Sequence, residues 1–246
     1  MARELTDGLH WLHECHDIGG RHEHVAVYCL TGEETVVVDT GSFHDREAIT
    51  GAITRLTDGA GPDAIVLSHT DYPHAANVDP IRERWGDVDV VASCGAPTIQ
   101  GLPADARTCD VGETVTVGSR ELTLIDPPLA DRSHTMWVLD EATGTLFTAD
   151  GFGARHAPGA CDRTAAELGG LSLERVREYH ASALSWLPYA DAEVLWAALE
   201  AVFGTHEIER IAPVHGPPIE DVSGYLAVWR EGLAEIVRDE PLPGDP

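Results

Sequence analysis

The segment Ser68-His69-Thr70-Asp71-Tyr72-Pro73-His74 places two imidazoles and a carboxylate within six residues, directly after an apolar run. A loop that short can turn several donors toward one point, which is what a metal ion needs. In a chain with 13 His one such triplet arises easily by chance. Three further segments add weight: RSHTMWVLD around His134, LFTADGFG around Asp150 and IAPVHGPPI around His215. Each sets a His or Asp at the edge of a predicted strand, and Gly151 and Gly216 follow the last two. Glycine there lets the backbone approach a ligand or cofactor closely.

These residues need elements to hold them. VAVYCL (25–30) and TVVVDT (35–40), separated by TGEE, read as a hairpin, and residues 45–57 carry apolar positions at helical spacing with Asp45 as cap. AIVLS (64–68) and VDVVAS (88–93) are apolar strands, the second preceded by a short helix from Ile81 to Trp85. Strands are predicted again over 114–117, 121–126, 135–140 and 144–150. Two helices follow over 173–187 and 191–204, separated by Pro188, then a strand over 209–213 and a closing helix over 223–237. Strand-rich halves that each end in helices predict two sheets packed face to face with helices outside. His69, Asp150 and His215 each follow a buried strand, where a layered fold gathers its loops into one cleft. No linker divides the 246 residues, so 1–246 is expected to form one domain, with 238–246 a frayed tail.

Composition narrows the function. Asp and Glu number 42 against 16 basic residues, all of them Arg, for a formal net charge of -26. Such a surface repels nucleic acid and anionic membrane, and it stays soluble at high ionic strength, which points to a halophilic cytoplasm. The start carries no signal-peptide pattern, and no run approaches the roughly 18 apolar residues that span a bilayer. Five Cys with no CxxC pair read as free thiols. GxGxxG is absent, so no phosphate-cradling loop of that kind is present.

The spaced His and Asp segments resemble the metallo-β-lactamase superfamily, whose pattern is an HxHxDH loop followed by a distant His, an Asp and a final His. Within it the sequence is similar to the diiron domain of flavodiiron proteins and to stand-alone oxygen-binding diiron proteins. That branch has a carboxylate as second loop ligand, the place Asp71 occupies, and LFTADGFG and IAPVHG resemble its bridging-aspartate and last-ligand segments. Spacings of 60 residues from His74 to His134, 16 to Asp150 and 65 to His215 are similar to those of the branch. VVVDTG (36–41) and REYHASALSWLPY (177–189) extend the likeness over nearly the whole chain.

The resemblance implies an α/β (α+β) fold, an αββα sandwich of two mixed sheets flanked by helices. It implies that His69, Asp71 and His134 hold one metal, that Asp150 bridges, and that His74 and His215 hold the second. Asp150 and His134 are the candidate catalytic groups. A bridging carboxylate lets two cations sit about 3.5–4 Å apart. Imidazoles and carboxylates without thiolate suit iron, zinc or manganese, the extra carboxylate favouring iron. The expected activity is therefore that of a non-haem diiron protein that binds or reduces O2, or NO, with electrons from a separate partner and with homodimerisation plausible. One position departs from the pattern: Pro73 stands where the family has an aspartate before the second His, so the second metal keeps only His74, Asp150 and His215 unless Tyr72 or Asp79 substitutes. The alternatives are a metal-dependent hydrolase of an ester, lactone, thioester or phosphodiester, and a non-catalytic sensor whose metal site has decayed.

Other suggestive residues have plainer readings. HWLHECH (10–16) alternates as an edge strand with solvent-facing His10, His13, His16 and Cys15. His22 and His24 border the pocket in the resembling family and read as surface or supporting residues. His44, His156, His180 and His206 read as ordinary histidines, and Trp186, Trp196, Phe203 and Trp229 as core.

Overall fold

In the computed structural model, which describes residues 2–237, twelve strands and five α-helices form two sheets between two helical layers. The first sheet has the order β1 (Ala2–Thr6), β2 (Leu9–Ile18), β3 (Arg21–Leu30), β4 (Val36–Val38), β5 (Ala64–Val66), β6 (Asp89–Ser93), β7 (Arg107–Cys109). Strands β1 to β4 pair antiparallel and β4 to β7 parallel, so the sheet is mixed. The second sheet has the order β12 (Arg210–Ala212), β11 (Thr145–Phe147), β10 (Trp137–Asp140), β9 (Arg120–Ile125), β8 (Thr114–Val117), antiparallel except for β11 with β12.

Three apolar layers hold this arrangement. The middle one, with Trp11, Tyr28, Val66, Leu124, Val138 and Phe147, lies between the sheets. α1 (Arg46–Leu56) and α2 (Val78–Trp85) cover the outer face of the first sheet through Ile53 and Ile81. α3 (Leu173–Ala183), α4 (Ala192–Thr205) and α5 (Val222–Ile236) cover the second through Val176, Leu199 and Trp229. Short parallel strands such as β4 and β5 are buried on both faces, which is why their sequences are continuous rather than alternating. The expected αββα sandwich is therefore the observed fold, and the tail expected over 238–246 lies outside the described residues. Among the described residues, no helix is long and apolar enough to cross a membrane.

Two local expectations need correction. HWLHECH is not an edge strand: β1, too polar to be recognised from its pattern, pairs along it from Ala2↔Leu12 to Thr6↔Leu9, and His13 is buried. Asp45 is the N-cap residue of α1 but makes no capping hydrogen bond; its carboxylate instead lies 2.9 Å from His16 Nε2.

Candidate metal centre

Three parallel-strand ends build the centre. β5 ends at Val66, β11 at Phe147 and β12 at Ala212, and His69, Asp150 and His215 each stand three residues beyond. Ala149 and Phe152 take positive φ values of 51° and 62°, so the chain bends sharply on both sides of Asp150. His69, His74 and Asp150 each offer a donor atom within 4.8 Å of the others. His74 Nε2 is 2.9 Å, and His215 Nε2 3.4 Å, from the same Asp150 oxygen, Oδ1.

The orientation of these atoms is informative. His74 Nε2 and Asp150 Oδ1 are buried and face each other at 2.9 Å as an ion pair, yet neither has a well-formed hydrogen bond. Buried polar atoms without partners are costly, and their convergence on a shared point is what a cation would satisfy. The donor set therefore fits a metal ion.

The electrostatics agree with that fit. Burial alone would lower the His74 pKa, but Asp39 and then Asp150 override it and raise it to about 10. Burial would raise that of Asp150, and His215 and His74 instead hold it well below the carboxylate range. His69, beside His74, is pushed down to about 4, mainly by burial. His74 thus holds a proton between two carboxylates, and a metal ion at Nε2 would take that proton's place.

Asp71 and His134 stand to one side. His134 Nε2 is 3.9 Å from Asp71 Oδ1, but Asp71 already accepts from Gln100 Nε2 at 2.7 Å and from Arg132 Nε at 2.6 Å. Burial would raise the Asp71 pKa, and the Arg132 hydrogen bond outweighs it and lowers it. The structure therefore brings His69, His74, Asp150 and His215 together tightly, and holds Asp71 and His134 at their margin.

Neither suggested replacement for the missing aspartate is at the centre. Tyr72 is exposed and bonds Ser42 through its hydroxyl, and Asp79 is exposed on α2. Asp131 was not singled out by the sequence, yet its buried carboxylate lies 3.6 Å from His69 Nε2. Two more residues, Asp39 and Glu23, escaped sequence reasoning, whereas His24 was expected at the border of the pocket. Asp39 faces His74 Nδ1 at 3.0 Å, Glu23 faces His215 Nδ1 at 3.6 Å, and the His24 carbonyl accepts from that same Nδ1 at 3.0 Å. Asp39 had a signal, its place in VVVDTG; the others lie in loops or strands far away in sequence.

The glycines work differently from the expectation. A Cβ on Gly151 would meet the Trp137 indole at 3.0 Å, and one on Gly216 the Ala154 nitrogen at 2.8 Å. They make room for protein packed behind the ligands, not for a ligand.

Residues 18–187 match the family described as the metallo-beta-lactamase superfamily. The chain belongs to that superfamily. Among relatives by sequence, a nitric oxide reductase of Moorella thermoacetica is 24% identical over 93% of this chain and 61% of its own length. A coenzyme F420H(2) oxidase of Methanothermobacter marburgensis is 22% identical over 95% of this chain and 62% of its own. Among solved structures, the flavodiiron protein of Giardia intestinalis superimposes with a TM-score of 0.76 at 18% identity, over 96% of this chain and 59% of that one. This superfamily member thus shares its fold with flavodiiron proteins, and it spans about three-fifths of the length of the curated relatives it matches.

Proposed function

We propose that residues 1–246 act as one metal-binding unit: a non-haem iron protein, with two ions, that binds or reduces O2 or NO and receives electrons from a separate partner. The observation that carries the reading is the pair of buried, unbonded atoms, His74 Nε2 and Asp150 Oδ1, facing a space that His69 and His215 also border. The six expected residues, His69, Asp71, His74, His134, Asp150 and His215, would hold the metal, with Asp150 shared. Asp131 is the buried carboxylate best placed to offset Pro73. When bound, iron would supply one-electron chemistry at an open coordination position.

The remaining work belongs to this chain's residues. Asp39 orients His74, the His24 carbonyl orients His215, and Tyr179 stacks over His215 with ring centroids 6.4 Å apart. Three carboxylates, Asp71, Asp131 and Asp150, favour iron over zinc. The names of the relatives, a nitric oxide reductase and a coenzyme F420H(2) oxidase, support the same choice.

The test is to purify the chain anaerobically, add ferrous iron and admit O2. Iron uptake with a new visible absorption band that Asp150→Asn abolishes is the expected result. Protein that takes up no iron, or that holds zinc and turns over an ester or phosphodiester, would overturn it. A salt-rich cytoplasm is the proposed setting of this acidic chain, and homodimerisation its proposed assembly. With a formal charge of -26, Tm should climb as KCl is raised from low to molar concentration; a flat response would remove the halophilic reading.

A further inference from the structure

A second group of metal-type donors lies outside this centre. The pairing of β2 with β3 sets Cys15 opposite His24, so Cys15, His13, His22 and His24 share one face of the hairpin. The segment after Asp150 lies across that face. It is pinned by a two-way backbone bridge, His22 N–H to the His156 carbonyl and His156 N–H to the His22 carbonyl, each 2.9 Å. That crossing brings His156 and Cys161, about 140 residues away in sequence, over Cys15 and His22.

Three of these residues stand at the distances of a coordination shell, and His22 approaches one of them. Cys15 Sγ is 3.4 Å from His156 Nε2, and Cys161 Sγ is 3.3 Å from His22 Nδ1. Cys15, His156 and Cys161 offer donor atoms that all lie within 4.8 Å of one another. Zinc holds sulfur at about 2.3 Å and nitrogen at about 2.0–2.1 Å, so S and N donors on one tetrahedral ion stand about 3.5 Å apart. The geometry points to a structural zinc-type site formed by Cys15, His156 and Cys161, with His22 as the fourth ligand.

The surroundings match that use. His156 is buried, and its Nδ1 donates to the Ala157 carbonyl at 2.9 Å, which fixes the ring with Nε2 toward Cys15. His24 Nε2 donates to the Cys161 carbonyl at 2.9 Å and so holds the other thiol in place. Burial keeps His156 below its ordinary pKa, in the neutral form that ligates. Burial, then the neighbouring Cys161, pushes the Cys15 thiol up, so that thiol stays protonated until a cation arrives. Binding releases both thiol protons to solvent, and two thiolates cancel the charge of one divalent ion. Cys15 and Cys161 are both half-buried, which leaves a path for entry. Thiolate with imidazole selects zinc rather than the iron expected at a carboxylate centre.

The site would act as a clip. The segment it fastens runs on from Asp150, and within it the Ala154 N–H donates to the His215 carbonyl. On the hairpin side, the His24 carbonyl accepts from His215 Nδ1. A metal at Cys15, His22, His156 and Cys161 would therefore fix two strands of chain that position ligands of the other centre.

The inference does not depend on the activity proposed above, and cobalt separates the two. The reduced chain carrying Asp150→Asn, which disables the carboxylate centre, is titrated with Co2+ and then Zn2+. Expected are one equivalent of cobalt with sulfur-to-cobalt charge transfer, loss of that band in Cys15→Ser and in Cys161→Ser, its persistence in Cys94→Ser, and displacement by zinc. If those serine variants do not fold, the parent chain decides alone, because the carboxylate centre holds no sulfur. Absence of the band in the reduced parent chain, or its survival in Cys15→Ser, would overturn the inference. So would a Cys15–Cys161 disulfide that, once reduced, takes up no cobalt.

Discussion

Asp39 Oδ2 lies 3.0 Å from His74 Nδ1, and the same carboxylate accepts from the Ser68 amide at 2.8 Å and the Ser68 hydroxyl at 2.7 Å. Asp39 therefore ties the end of β4 to both ends of the 68–74 loop and leaves only Nε2 of His74 free to face Asp150. A carboxylate behind a ligating imidazole fixes its tautomer and raises its basicity. Asp39 sits at φ 56°, a conformation asparagine tolerates, so Asp39→Asn removes the charge with little backbone penalty. Iron affinity is expected to fall on the order of 10- to 100-fold. Competition with a chelator reads it, and unchanged affinity would show that Asp39 only packs.

Arg132 competes with a cation for Asp71. Its Nε is 2.6 Å from Asp71 Oδ2, and its Nη1 is 3.7 Å from Asp131 Oδ2, so one guanidinium offsets two carboxylates beside the centre. Arg132 is about half exposed, which keeps the effect small. Arg132→Gln should strengthen divalent-cation binding on the order of two- to fivefold, measured by calorimetric titration. A weaker cation affinity would mean that Arg132 instead holds Asp71 in a ligating pose.

How far the sequence exposed all this depends on how local each signal was. The strands that carry His69, Asp150 and His215 were readable because burial on both faces leaves short apolar runs with punctuation, and nearly every helix was readable from its spacing. β1 was not, since ARELT is polar and gains its role only by pairing with β2. The true partners of Asp71 were hidden for a related reason: Gln100 and Arg132 come from separate loops, 29 and 61 residues away. Cys15 looked solvent-facing because its neighbours, His156 and Cys161, are supplied by a segment that crosses the hairpin from the second half of the chain. Residue types foretold the metal chemistry; which atoms were already committed to other side chains required the fold.

Gly153 shows how tightly the wall behind His215 is packed. A Cβ there would stand 2.4 Å from the buried Tyr179 ring and 2.9 Å from the His215 carbonyl. Gly153→Ala must push Tyr179 off its stack on His215, a form of overpacking that costs about 1–3 kcal/mol. Both Tm and iron affinity should drop. The same exchange at Gly51, inside α1, has only Arg55 Nη1 at 3.5 Å to meet and should instead stabilise by about 0.5–1 kcal/mol. If Gly153→Ala proved as stable as the parent chain, the wall would be looser than these distances imply.

His180 gives the pH dependence its sign. The ring is fully buried on α3: Nδ1 donates to the Val176 carbonyl at 2.7 Å, and Nε2 accepts from the Phe152 amide at 3.1 Å. Both nitrogens are used by the neutral ring, and burial pushes its pKa down to about 4 from an ordinary 6.5. A histidine whose pKa is depressed on folding binds its proton more readily in the unfolded chain, so its contribution is complete above about 6.5 and is lost as pH falls toward about 4. Across that window the loss from this one ring amounts to about 3 kcal/mol. Denaturant unfolding at a series of pH values should therefore show the parent chain losing stability faster than His180→Gln between pH 6.5 and 4. The variant starts out less stable, because glutamine cannot serve both the Val176 carbonyl and the Phe152 amide from the same place, and the gap should narrow as the pH drops. Two parallel curves would mean that folding leaves the pKa of this ring unchanged, and that the acid sensitivity of the fold arises elsewhere.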